Sequence, residues 1–254
     1  MIPERIKALV LPIAALVALE IWARAVHLQS DSLAPPSAIA IALGSAFGDG
    51  AILTATRDTL ASAFTGLLLG GAIGLAFGIA LGVFQTLDRL MEVTIEAIRP
   101  IPSIALLPIA LIALGFGYRM EIAIVAFACV WPVLILSRAA VREVEPRLME
   151  VSRALRLSPA DRVYKIIIPA ALPRIFVAFR LAAGIALIVA VTVEIAINPI
   201  GLGAAIMAAQ QGLQPDLMLA YLLWIGVVGY GLNATLNFAQ RRLFGRAALV
   251  REAA

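Results

Sequence analysis

The residues best suited to chemistry lie in one polar stretch, and their chemistry is recognition. Glu150-Val151-Ser152 is followed after three residues by Arg156, and after nine more by Ile166-Ile167-Ile168-Pro169. The carboxylate offers acceptors for charge-assisted hydrogen bonds, the strongest class available to a side chain. No nucleophile stands paired with a base. A phosphate-cradling loop needs a Gly-rich turn ending in Lys before Ser or Thr, and Lys7 and Lys165, the two lysines, lie in no such context. The single cysteine, Cys129, excludes an internal disulfide. With one histidine, His27, in a loop start, no Cys/His cluster exists to hold a metal.

The stretch around these residues, 138–174, separates two apolar runs. Pro146, Pro159, Pro169 and Pro173 cut it into short pieces, since proline in a helix interior loses a hydrogen bond. Between the first two, residues 147–157 carry Leu148, Val151, Leu155 and, one face over, Ala154. That is an amphipathic helical pattern. A helix this short is marginal alone in water. It needs a surface, either its own membrane domain or a partner protein; the plainer alternative is a solvated basic loop.

Composition defines the medium. Of 254 residues, 62% are hydrophobic and 14% charged, and the mean hydropathy is +1.00. Soluble domains carry nearer a quarter charged residues. The apolar runs are long and continuous rather than alternating, which points to membrane helices and excludes a barrel. The net charge of +4 reflects membrane sidedness and not a nucleic-acid partner.

Six spans are predicted. The first runs to about residue 26 as a retained helix, with Glu20 and Arg24 four apart and able to pair; the Ala23-Arg24-Ala25 run is a competing cleavage signal. Residues 27–57 form a polar connection with a short surface helix over 38–47. Residues 59–87 carry no charge and make the second span. There Gly66, Gly70, Gly74, Gly78 and Gly82 recur on one face, a ridge for close helix packing. Residues 88–99 return to water. The third apolar run, 101–116, is interrupted at Pro102 and Pro108, and such broken backbone is tolerated where it is buried or lines a cavity. Pathway lining is one reading for Pro102, Ser103 and Pro108, and simple packing the other. A tight turn at 118–121 leads into the fourth span, 122–137. The fifth, 175–197, holds Arg180, placed to snorkel to the inner headgroups, and Glu194, either part of an outer gate or of a contact to an external binding protein, or a hydrogen-bonded interfacial carboxylate. A short helix is expected over 204–211, and the sixth span over 217–240.

Sidedness follows from counting. With the N-terminus inside, sixteen Lys and Arg fall in inner segments, while only Arg57 and Arg119 fall in outer loops. The positive-inside rule supports this orientation, with both termini and the 138–174 stretch in the cytoplasm.

The Glu150 to Pro169 spacing resembles the EAA loop (E-A-A-x3-G-x9-I-x-L-P) of bacterial ABC importer permeases, and the resemblance extends from about residue 58 to 242. It is similar to the branch that includes sulfonate, taurine and nitrate permeases. The resemblance implies an all-α membrane protein of type I importer permease architecture. The expected division is an N-terminal helix and external connection over 1–57, a core over 58–246 that includes the cytoplasmic coupling loop 138–174, and a cytoplasmic tail over 247–254. The resemblance also implies a bacterial inner-membrane location, a second permease copy, membrane lipid, an external solute-binding protein, and ABC ATPase subunits that hold ATP and Mg. The chain itself would bind no cofactor. ATPase coupling would rest on Glu150, Val151, Ala154, Leu155, Arg156, Leu157 and Pro169, and the translocation pathway on Pro102, Ser103, Pro108, Arg180 and Glu194. The sequence departs from the pattern where Val151-Ser152 replaces Ala-Ala and Arg156 replaces Gly. Either the turn there is built differently, or Arg156 takes a left-handed backbone whose cost is offset by contacts to the partner. The competing function is a channel or ion-coupled transporter working without an ATPase. A membrane-embedded enzyme lacks any catalytic constellation.

Overall fold

A computed structural model describes residues 4–26 and 30–245, with backbone alone over 4–9. His27, Arg246, Arg251 and the tail over 247–254 lie outside the described residues. Every regular element described is helical. Three long helices form the centre: α3 (Ala51–Val83), α6 (Tyr118–Arg142) and α9 (Ile168–Ala196). Around them stand α1 (Glu4–Ala25), α2 (Pro36–Gly48), α4 (Gln85–Ile98), α5 (Leu107–Leu114), α7 (Pro146–Ala154), α8 (Pro159–Arg162), α10 (Gly201–Gln211) and α11 (Pro215–Phe244).

Small residues explain why the centre is so closely packed. On α9, Ala182, Ala183, Ala186 and Ala190 are all buried, against Ala63 and Leu67 of α3 and Val125, Cys129 and Val133 of α6. The glycine ridge of α3 lies directly on α6. A Cβ built on Gly70, Gly74 or Gly78 would sit 2.1, 2.5 or 2.7 Å from the backbone carbonyl oxygen of Ala126, Val130 or Leu134, respectively. On Gly66 and Gly82 it would sit 2.6 Å from the side chains of Val125 and Val141. These two backbones touch, as small-residue ridges allow in lipid where no hydrophobic force drives helices together.

Among the described residues, four apolar segments are long enough to cross a bilayer, built on α3, α6, α9 and α11; α4 with residues 103–114 is apolar and long enough only as a bent pair, either a broken span or a re-entrant loop. Helix α1 adds 22 residues, about 33 Å of helical rise.

Several expected boundaries move. The second span begins at Ala51 rather than 59, so Arg57 and Asp58 belong to a helix and not to a loop. Gly50, at φ +77°, breaks the chain just before it, and Asp49 Oδ1 accepts from the Ala51 N–H at 2.9 Å. A helix of 33 residues outreaches the hydrocarbon, which is why it carries charges near its start. It ends at Val83, and Phe84 is extended.

Residues 88–99 do not return to water as an open segment. They form most of α4, an amphipathic helix on which Asp88 is buried. The third span is not one helix: α4 and residues 103–114 meet at 79°. Residues 99–102 break the chain, then a 3-10 turn over Ser103–Leu106 leads into α5, only eight residues long. Pro100 and Pro102, within the break, lack the N–H groups a continuous ladder would need; Pro108 falls in the first turn of α5, where its missing N–H costs nothing.

The turn expected at 118–121 is the first turn of α6. The reversal falls instead at Gly115 and Gly117, with φ of +73° and +101°, a conformation glycine alone adopts cheaply. Helix α6 also runs on to Arg142, five residues into the stretch read as loop. At the other end of that stretch, Pro173 does not divide the chain; it lies inside α9. Its missing N–H would have reached the carbonyl of Pro169 in the first turn, so a single bond is lost from a 29-residue helix.

At the opposite end of the bundle, α2, α10 and α11 pack on the start of α3 through Ala46, Ile52, Leu202 and Tyr221. Trp224 donates its indole N–H to Thr56 Oγ1 at 2.8 Å and meets Phe47 edge-on at 4.8 Å. Glu20 joins α1 to this group, accepting from Arg24 at 2.6 Å and from the Ser37 N–H at 2.9 Å.

Candidate functional site

The site at Glu150 is built by a helix that hides its small polar residue and shows its apolar ones. Pro146 starts α7, where its missing N–H costs nothing. Ser152 is buried, and its hydroxyl donates to the Met149 carbonyl at 2.6 Å. Met149 packs beside Ala140, Val141 and Ile167. The face that meets the rest of the chain is therefore Met149 and Ser152. Leu148, Val151 and Leu155, spaced three and four apart, point away and are exposed, as are Glu150 and Ala154.

Arg156 ends this helix in the left-handed region, with φ +50°. Its N–H donates to Arg153 O at 2.9 Å, and the Leu157 N–H donates to Ser152 O at 3.1 Å. This pair of bonds is the Schellman ending, in which the left-handed position usually belongs to Gly. Arg156 thus takes the left-handed backbone itself, in a turn of the ordinary Schellman form. Half-buried Leu157 follows it. Ser158 then caps α8, its hydroxyl accepting from the Asp161 N–H at 3.1 Å, and Asp161 pairs with Lys165 at 2.6 Å. A π turn over Val163–Ile167 leads to Pro169 in the first turn of α9.

Next to α7 lies an ion-pair cluster that the sequence did not disclose. Asp88 of α4 pairs with Arg138 through Nε at 2.6 Å and through a terminal guanidinium nitrogen at 2.7 Å. Arg142 binds the same carboxylate. The two arginines are four apart on α6, which was visible; that α4 folds back to meet them was not.

A second polar cluster sits at the α10 end. Glu194 and Glu121 are both buried, together with Asn198, Thr59 and Ser62. The Asn198 amide donates to Glu121 Oε2 at 2.6 Å and accepts from the Gly117 N–H at 2.8 Å. Thr59 Oγ1 accepts from the Leu202 N–H at 2.8 Å. Glu121 was passed over because it read as part of a turn.

The five pathway candidates do not form one site within this chain. Ser103 lines a shallow cleft of about 350 Å³ with Arg99, Phe127 and Trp131. Pro102 and Pro108 are exposed on the broken segment. Arg180 donates to Gln240 Oε1 of α11 at 2.9 Å. Glu194 lies at the far end of α9, within the buried cluster.

Comparison with known proteins fits this architecture. Residues 70–248 match the family described as the binding-protein-dependent transport system inner membrane component. The taurine transport system permease protein TauC of Escherichia coli is 30% identical over 235 residues, spanning 89% of this chain and 86% of that protein. The bicarbonate transport system permease protein CmpB of Synechocystis is 32% identical over 188 residues, spanning 73% and 67%. The inward-facing MetNI methionine ABC transporter superposes with a TM-score of 0.65 at 24% identity, over 76% of this chain and 93% of that one. The chain therefore belongs to the binding-protein-dependent inner membrane components, the multi-pass permease subunits of ABC importers, which work with a solute-binding protein and leave ATP hydrolysis to a separate subunit.

Proposed function

We propose that α7 is the element on which the ATPase seats, and that the chain forms one half of a dimeric pathway for a small anionic solute. The observation that carries the coupling reading is the outward face of α7. A nine-residue helix with Leu148, Val151 and Leu155 turned away from its own bundle leaves apolar surface in water, and a partner groove would cover it. Glu150, exposed at mid-helix, is placed to accept charge-assisted hydrogen bonds from that partner. The ATPase would hold ATP and Mg, and its closure would shift the permease between outward- and inward-open states by binding one of them better.

This reading sets the α7 end of the bundle in the cytoplasm, in line with the sixteen inner cations, and both termini with it. Two identical copies in membrane lipid are the simplest assembly for a chain with one such loop. The solute class rests on the names of the relatives, which include taurine and bicarbonate permeases.

The test places charge on α7. Glu150→Lys and Ala154→Asp leave the permease in the membrane but abolish uptake, with the ATPase lost on purification or its hydrolysis uncoupled. ATPase retention and uptake are each normalised to permease abundance. Normal transport by both variants at equal abundance would sink the coupling role of α7.

A further inference from the structure

Behind α7, on the side away from its exposed leucine and valine, the ends of α3, α4, α6 and α8 enclose a cleft of about 630 Å³. Its charges do not balance. Arg89, Arg138, Arg142 and Arg162 line it against only Asp88 and Glu92, four positive groups to two negative. Asp88 is already engaged by Arg138 and Arg142. Arg89 and Arg162 form no ion pair among the described residues.

Arg162 is the more telling of the two. Its Nε is closed off from solvent and has no hydrogen-bond acceptor among the described residues, whereas buried donors are nearly always partnered. The π turn begins at the very next residue, and its Val163 and Ile167 line the same cleft. Single π turns are uncommon and concentrate at functional sites. An unpartnered guanidinium donor, an excess of positive charge and an irregular helical turn thus coincide in one cavity.

We propose that this cleft binds a phosphate-class oxyanion, held by Arg162 from the α8 side and by Arg89 from the α4 side. Guanidinium groups suit it because their fixed fork of donors matches phosphate oxygens. The phosphate could belong to a lipid headgroup, since basic pockets at the inner ends of membrane helices take anionic headgroups, or it could be a free ion. In either case the bound oxygens would tie the segment after α7 to α4. The binding itself does not depend on α7 seating an ATPase.

The experiment uses the full chain in nanodiscs and two probes. In neutral phosphatidylcholine discs, inorganic phosphate is titrated while hydrogen exchange is followed over residues 155–167. In a second arm, discs containing phosphatidylglycerol are analysed by native mass spectrometry for retained lipid. Saturable protection by phosphate assigns a free anion, and specific phosphatidylglycerol retention assigns a headgroup; either supports the site. Arg162→Gln and Arg89→Gln each weaken that binding about tenfold, the loss expected for a charge-assisted hydrogen bond. Arg89 is exposed on α4, so its variant keeps the test valid if Arg162→Gln folds poorly. Arg241→Gln, which removes a charge at the same end of the bundle but outside the cleft, leaves binding within about twofold. Binding of neither probe, or equal loss in the Arg241 variant, overturns the proposal.

Discussion

Glu194 accepts a hydrogen bond from the Gly203 N–H at 2.8 Å, so a carboxylate of α9 caps a helix that begins seven residues later in the chain. Thr59 of α3 takes the neighbouring Leu202 N–H. Two of the unpaired donors at the start of α10 are thereby satisfied by side chains from two different central helices. The cap fastens α10 to the bundle.

Removing the cap therefore has a defined cost. Glu194→Ala lowers stability by about 2 kcal/mol, the upper range for a lost cap, while Glu194→Gln, which keeps an acceptor, costs less. Thermal unfolding of the purified chain ranks the two. If both variants melt with the wild type, the cap contributes nothing.

Gly201 is held more tightly than its neighbours. Its φ is +90°, and a Cβ there would lie 2.0 Å from Glu194 Oε1. Gly201→Ala meets both the backbone penalty and the collision, so it lowers the melting point more than Glu194→Gln. Gly226→Ala, on α11 with nothing within 4 Å of the new methyl group, is the control and is expected to melt close to wild type.

On the glycine ridge even one methyl group is too many. Gly70→Ala would place its Cβ 2.1 Å from the Ala126 carbonyl oxygen, and backbone cannot rotate away as a side chain can. Folded yield in detergent falls steeply for Gly70→Ala and for Gly74→Leu. Surviving Gly74→Leu protein keeps its solute preference, measured by competition uptake. A normal yield with a changed preference would mean that this face lines the pathway.

Arg156→Gly is expected to stabilise. Releasing a non-glycine residue from the left-handed region is worth about 1 kcal/mol, and the Schellman bonds come from the backbone and remain. The melting point rises slightly, and ATPase retention is unchanged. A loss of retention would show that the Arg156 side chain itself contacts the partner.

Asp88→Asn strands two guanidinium groups that now share one carboxylate. Because Arg142 is partly exposed and Asp88 nearly buried, the cost is set at about 2 kcal/mol, below the full value for a broken buried pair. Denaturation of the variant beside Arg142→Gln, which loses only the outer partner, separates the two contributions.

How far these arrangements were legible in the sequence depends on whether local pattern or long-range folding decides them. The fourfold spacing of the α3 glycines announces a contact ridge, because side-chain size is a local property. The helix end at Arg156 was legible only through the resemblance, which has Gly at that position; arginine itself carries no local sign of a left-handed residue. Asp88 gave no such sign: a carboxylate beside Arg89 reads as solvated until α4 bends back and brings Arg138 and Arg142 onto it. Glu121 was missed through a boundary error of a few residues, since an acid in a turn and an acid in the first turn of a buried helix have the same local sequence. Pro173 misled in the opposite sense, because its cost falls on one bond near a helix start rather than on the whole helix.

The contact between α3 and α6 also limits how the molecule can deform. With three carbonyl oxygens of α6 lying over glycines of α3 at every fourth residue, sliding one helix along the other by a single residue would drive side chains into backbone. The pair is in effect a stiff beam. Bending is left to the places where the ladder is already interrupted: extended Phe84 between α3 and α4, the break over residues 99–102, and the π turn before α9. Force applied at α7 would reach the far end of the molecule through rotation of that beam about these joints, not through compression along it.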